Sequence, residues 1–248
     1  MWGRSWAHTS HTHRREHCRA CRSGQTRCAA AAKRTGVAVD VEPAPSNGRC
    51  LFAGVDIIAP PDVVWQALTD YDGLDRFIPG LAENRCLSRH ARGARLLQIA
   101  EQPLALGAKF RARVVLDIEE YCGGIPAEQL WQASAARAAA ERRNGNGATP
   151  EQRFLEPRSP LRARPRDIAF CLVEGDFQAF RGVWRIQEGA GGSSTARLSY
   201  ALFVRPQIWL PVRLIQGRVE GEVRTNLAAV REHSERVWTS QRSAGCAA

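Results

Sequence analysis

The sequence predicts an α+β domain in which a curved antiparallel sheet of about seven strands wraps a long C-terminal helix. Three observations carry this. A strand-like run, RCLFAGVDIIAPP (49–61), passes directly into a helical stretch; strand-period runs then follow one another; and the final long segment carries apolar residues at helical spacing from Val212 to Val230. Sequential strands tend to pair as antiparallel neighbours, and helices at both ends of the series leave the sheet free to curl around the last one.

Each element has a local cause. Pro60 and Pro61 suit the opening of a helix, where the N–H that proline lacks has no intrahelical partner anyway. In PPDVVWQALTDY (60–71), Val64, Leu68 and Tyr71 recur at helical spacing, while Gln66, Thr69 and Asp70 fall elsewhere. Gly73 stops this helix, and LDRFI (74–78) makes a second short helix with Asp72 or Gly73 as its N-cap. ENRCLSRH, ARLLQIAEQ and LGAKFRARVVLDIEEY read as strands. In the last, Phe110, Ala112, Val114, Leu116 and Ile118 alternate with Lys109, Arg111, Arg113, Asp117 and Glu119, so that one face is dry and the other wet.

RDIAFCLVEGD, FQAFRGVWRIQEG and TARLSYALFVRP continue the strands, with turns at Gly175-Asp176 and GAGGSS. In LPVRLIQGRVEGEVRTNLAAVREHSERVW (210–238), Val212, Ile215, Val219, Val223, Leu227 and Val230 form one apolar stripe. Gly217 and Gly221 lie near that stripe and each costs about 1 kcal/mol against Ala, which close packing on the sheet or on a ligand would explain.

Composition divides the chain. Residues 1–36 hold eight Lys/Arg against the single acid Glu16, which leaves the remainder of a +10 chain only weakly basic and argues against a nucleic-acid partner for the folded part. This leader is rich in Arg, Ser, Thr and Ala and lacks a long apolar run, as in an organelle transit peptide; a disordered basic tail is the alternative. Residues 37–48 read as a linker, 49–238 as the domain, 122–165 as a low-complexity insertion rich in Ala, Arg and Pro, and 239–248 as a disordered tail. HTHRREHCRAC lacks the second ligand pair that a zinc site needs, so no metal and no cofactor are expected. The remaining cysteines are scattered singly, which suggests mostly buried thiols in a reducing compartment. No run of 18 apolar residues occurs, and a soluble monomer is expected.

APPDVVWQALTDYDGLDRFIPGL (59–81) and VEGDFQAFRGVW (173–184), in this element order, resemble the START-like helix-grip superfamily, and within it the polyketide cyclase and coenzyme Q-binding START-like families. GLAENRCL (80–87) and RPQIWLPVRLIQGRVEGEVRTNL (205–227) are similar to plant and algal plastid members. The likeness spans 49–236 apart from the insertion. It implies a chloroplast protein, with the mitochondrion as alternative, and a hydrophobic cavity between sheet and long helix that takes a lipid, isoprenoid or quinone.

Catalytic machinery is sparse. Past the leader only His90 and His233 occur, the latter placed near a fraying helix end, and no nucleophile or phosphate-binding motif is present. Asp70, Asp72 and Asp75 read as turn and cap residues, and Glu174 and Asp176 as a hairpin turn, although Glu174 at a cavity wall would become an acid with a raised pKa. The ligand-binding candidates are Tyr71, Phe77, Ile78, Phe110, Val114, Phe180, Gly182, Trp184, Trp209 and Ile215. Gly182 in mid-strand would leave room for a ligand or for the helix. Ile208, Trp209 and Leu210 between two prolines would gate the cavity mouth or make transient membrane contact. The expected function is to carry or chaperone a hydrophobic small molecule. A cyclase or dehydratase using Tyr71, Glu174 or another cavity group is the alternative, favoured by a hydrogen-bonded phenol or carboxyl inside the cavity. A protein-interaction module built on Arg111, Arg113 and the insertion is the third.

Overall fold

Alternation of apolar and polar side chains gives eight strands, all antiparallel, in one sheet: β1 (Ala38–Ala44), β2 (Gly48–Ile57), β3 (Leu81–His90), β4 (Gly93–Pro103), β5 (Lys109–Tyr121), β6 (Arg166–Gly175), β7 (Phe177–Gly189) and β8 (Gly192–Pro206). The computed structural model describes residues 36–44, 47–103, 109–125, 164–207 and 212–245, and within these not the side chains of 102–103, 109–110 and 212–216. The strand order is β1-β2-β8-β7-β6-β5-β4-β3. After β2 the chain therefore crosses to the far edge through α1 (Pro61–Thr69) and a 3₁₀ turn (Leu74–Arg76), then meanders back strand by strand until β8 pairs with β2. A long helix, α2 (Val212–Gly245), closes the fold by packing on β2, β1 and α1.

Pairing shifts at Leu81/Glu83, Cys86/Ser88, Val115/Leu116, Phe177/Ala179 and Glu188/Gly189 interrupt the ladders. Such bulges bend a strand and increase its twist, which is what a sheet curling around a helix requires. The concave face holds the core, with Leu51, Val55 and Ile57 of β2, Leu198 and Leu202 of β8, and Leu227 and Val230 of α2 almost wholly removed from water.

The helix-grip architecture is as the sequence implies, and the differences from its reading are local. β1 lies in residues assigned to the linker. AVDVEPA is short and contains Pro43, but an edge strand tolerates proline, and Val39 and Val41 pack against the core. The two short helices follow the second strand rather than the first. α2 runs to Gly245 instead of fraying at 238; in its last turns Thr239, Ser240 and Ser243 donate to the carbonyls one turn back, which satisfies these side chains without a core contact. Gly217 and Gly221 are exposed with open space around them, so close packing does not explain them. The described cysteines are not deeply buried, and Cys122 and Cys171 are exposed. The leader and residues 126–163 of the insertion lie outside the described residues. No described helix is long and apolar enough to cross a membrane.

The convex face is not simply wet. Phe52, Ile125, Val183 and Ala201 form a second small apolar cluster there. Beside it Arg185 donates from Nε to Asp167 Oδ1 at 2.9 Å and from Nη2 to Asp167 Oδ2 at 2.7 Å, with both residues buried. The Ile125 backbone N–H donates to the same carboxylate at 2.7 Å, so this buried pair keeps the hydrogen bonds that make such a pair tolerable.

Candidate ligand-binding cavity

The inward side chains of β4 to β8 do not all reach α2. Between them lies a cavity of about 230 Å3. Leu96 of β4, Ala112, Val114, Leu116 and Ile118 of β5, and Ile168 and Phe170 of β6 form its floor, because period two places each of them on the concave face. Phe177, Phe180 and Trp184 of β7 and Tyr200 and Leu202 of β8 continue it. Leu68, Tyr71, Leu74 and Ile78, from α1 and the hinge that follows, close one end, and Val219 and Val223 of α2 lie across the floor. The aromatic rings brace one another: Trp184 lies 4.1 Å from Tyr200, and Phe170 lies 5.9 Å from Tyr200 and 5.6 Å from Phe180. A wall of interlocked rings holds its shape when nothing presses on it.

Polar groups reach this space at few points. The Tyr71 hydroxyl donates to Glu120 Oε1 at 2.7 Å; burial first, and this hydrogen bond second, hold the phenol pKa far above its ordinary value. Asn84 Nδ2 donates to the Tyr71 carbonyl at 2.7 Å, and Gln98 Nε2 donates to Asn84 Oδ1 at 3.1 Å, which ties the end of α1 to β3 and β4. Burial alone raises the pKa of Tyr200 and that of Glu222. Both tyrosines stay protonated near neutral pH, and neither can serve as a base there. The described lining contains no Ser, Thr, Cys or His, and no cluster of three His, Cys, Asp or Glu among the described residues could hold a metal ion.

Of the ten residues singled out from the sequence, Tyr71, Ile78, Val114, Phe180 and Trp184 line the cavity. Phe77 does not; its ring stacks on His233 of α2 with centroids 4.2 Å apart, pinning the hinge to the helix. That contact keeps His233 partly out of water and lowers its pKa, chiefly through burial and then through the charge of Arg236. Gly182 is buried but lies outside the cavity wall. A Cβ there would overlap the Ala201 carbonyl oxygen and the Phe170 ring, so the glycine seats Phe170 instead of leaving room for a ligand. The backbones of Phe110 and Ile215 lie in β5 and α2, but their side chains fall outside the described residues, as does Trp209 entirely.

The hinge and hairpin carboxylates Asp72 and Glu174 are surface groups. Glu174 is exposed and paired with Arg113 at 2.8 Å, and Asp72 accepts from Arg89 at 2.6 Å, while the N-cap of the 3₁₀ turn is Gly73 with no side-chain cap. Arg111 faces Glu101 at 3.5 Å, so the basic strand face is largely compensated. Phe170, Phe177, Tyr200, Gln98, Glu222 and Asn226 also line the cavity, beyond the residues that the sequence singles out. Strand parity contains a signal for Phe170, Tyr200 and Gln98, since each shares the inward parity of its strand, whereas Phe177 has the opposite parity to Phe180 and Trp184 and lines the cavity only across the bulge at Phe177/Ala179. For Glu222 and Asn226, only their position beside Val219 and Val223 on one helix turn could have pointed inward.

The family model for polyketide cyclase / dehydrase and lipid transport matches residues 57–231. No curated protein matches the sequence. Among solved structures, the STAR-related lipid transfer protein of Xanthomonas axonopodis superposes with a TM-score of 0.56 at 14% identity, over 82% of this chain and 96% of that one. Human STARD10 gives 0.51 at 10% identity, over 82% of this chain and 71% of that one. The lipid transfer and protein localization domain of human StarD13 gives 0.50 at 11% identity, over 80% and 84%. At these identities the likeness is one of fold.

Proposed function

This chain belongs to the polyketide cyclase / dehydrase and lipid transport family, and on that premise we propose that it carries or chaperones one hydrophobic small molecule, an isoprenoid, quinone or lipid, inside the cavity. The observation that carries the proposal is the wall itself: a mostly aliphatic and aromatic lining around about 230 Å3, with few polar groups. Each Å2 of apolar ligand surface taken out of water there contributes about 25 cal/mol, and sites of this kind need few polar contacts. The leader composition supports action inside an organelle, the family resemblance favours a plastid with the mitochondrion as alternative, and the apolar run Ile208-Trp209-Leu210 supports brief contact with the membrane that supplies or receives the ligand. Mass spectrometry of small molecules that co-purify with the chain from its organelle tests the reading. One enriched apolar compound is the expected result, and its absence overturns the proposal.

A cyclase or dehydratase remains as the second reading, because one observation favours it: a buried phenol, that of Tyr71, is hydrogen-bonded to Glu120 at the cavity wall. Under this reading Tyr71→Phe stops turnover of a polyketide-like substrate. Under the carrier reading it leaves ligand affinity within about threefold, since the hydroxyl proton is already committed to Glu120.

A further inference from the structure

One stretch of the cavity wall does not fit a purely apolar ligand. Val219 and Val223 of α2 are flanked on the cavity side by Arg218, Glu222 and Asn226. The same helix shows what a one-turn spacing allows, with Arg224 donating to Glu220 at 2.8 Å. Arg218 and Glu222 share that same spacing and make no ion pair, and no described residue gives the half-buried Glu222 carboxylate a hydrogen bond. One turn further on, Asn226 Oδ1 is fully buried with no hydrogen-bond partner, a costly state for a carbonyl unless something donates to it.

Glu222 cannot be dismissed as a side chain that drifts in solvent. A Cβ at Gly80 would overlap its Oε2 atom, so the carboxylate lies against the hinge backbone. Two of the neighbouring donors are engaged, since Tyr71 gives its proton to Glu120 and Gln98 donates one N–H to Asn84, while the Arg218 guanidinium stands in the wall as a further donor. What this end of the cavity offers a ligand is therefore two acceptors, a carboxylate and an amide oxygen, with the Asn226 amide nitrogen and the Arg218 guanidinium as donors beside them. A hydroxyl group matches that set because it donates and accepts. A cationic head is disfavoured by Arg218 at the same place, and a quinone or ketone oxygen, though it can accept from Arg218, brings no donor to Glu222 and Asn226.

We propose that Glu222 and Asn226 hold the hydroxyl of a compact apolar alcohol or phenol between α2 and the hinge at Gly80, and thereby select hydroxyl-bearing ligands over their ether or keto counterparts. The inference rests on the cavity-binding reading above and adds the polar head that the ligand must carry.

Calorimetric titration of the full chain with farnesol and with farnesyl methyl ether tests it. These share an apolar body and differ only in the donor. The wild type is expected to bind the alcohol at least about tenfold more tightly, the scale of a hydrogen bond to a charged group. Glu222→Leu should bring the alcohol down to the affinity of the ether while leaving the ether as it was or tighter. Gly80→Ala, which pushes the carboxylate aside without altering α2, should reduce the preference in the same direction, and it decides the matter if Glu222→Leu fails to fold. Equal binding of both probes by the wild type overturns the hydroxyl assignment and leaves the cavity reading standing. Binding of neither probe overturns the cavity reading, and the assignment with it.

Discussion

The two halves of α2 share one apolar period and lie in different surroundings. From Leu227 onward the stripe is sealed: Leu227, Val230 and Ser234 are each 0% exposed, Glu235 accepts from the Ile58 backbone N–H at 3.0 Å, and His233 stacks on Phe77. From Arg218 to Asn226 the same stripe lines a cavity, and polar side chains sit beside its valines. An amphipathic pattern thus records which face of a helix is kept from water, and it is silent on whether another surface touches that face.

The sharpest way to break this comparison is to truncate one apolar residue in each half. Leu227→Ala should lower stability by about 2–5 kcal/mol, because a close-packed site is left with a void. Val219→Ala should cost under about 1 kcal/mol, because its side chain already borders empty space. Urea unfolding of both variants decides it, and equal losses would mean that the cavity half is packed after all. Next in size, Gly182→Ala should cost about 1–3 kcal/mol by forcing Phe170 and β8 apart, read from the shift in the thermal midpoint. Wild-type stability in that variant would show the aromatic wall to be soft.

Protonation separates the halves by sign. His233 has a lowered pKa in the fold, so the unfolded chain binds more protons just below about pH 6.5, and stability should fall as pH drops through that window. His233→Leu should flatten this slope in denaturant titrations at stepped pH. Glu222 has a raised pKa, so here the folded state binds more protons above about pH 4.3, and its contribution should improve as pH falls toward that value. Glu222→Gln should therefore stabilise slightly at pH 7, with the gain fading on acidification. At the small end, Asp75→Asn should change stability by no more than about 0.5 kcal/mol and leave ligand binding intact, since Asp75 is exposed on the 3₁₀ turn. A larger effect on binding would restore an active-site role to the hinge aspartates.

Much of the site was legible because strand parity is a strong code. Val114, Phe180 and Trp184 could be assigned to an inward face from their neighbours alone, and all three line the cavity. Phe77 and Ile78 looked equivalent in sequence, yet one pins the hinge to His233 and the other faces the cavity, because a loop has no period to separate them. Gly182 is ambiguous in sequence for a related reason. A glycine in a strand marks a close approach, and whether a ligand, a ring or a backbone makes it depends on β6 and β8. β1 reads as a linker in sequence because its short alternation, interrupted by proline, becomes a strand only when β2 offers it an edge.

By itself the sequence determined the order of the elements, the faces they turn to water and the family resemblance, since these depend on neighbours within a few residues along the chain. Only the tertiary structure decided that half of a uniform apolar stripe borders a cavity and that Glu222 and Asn226 stand in its wall. The gap between sheet and helix is set by where bulges bend the sheet and by how far α2 lies from β4, β5 and β6, and those distances join residues far apart along the chain.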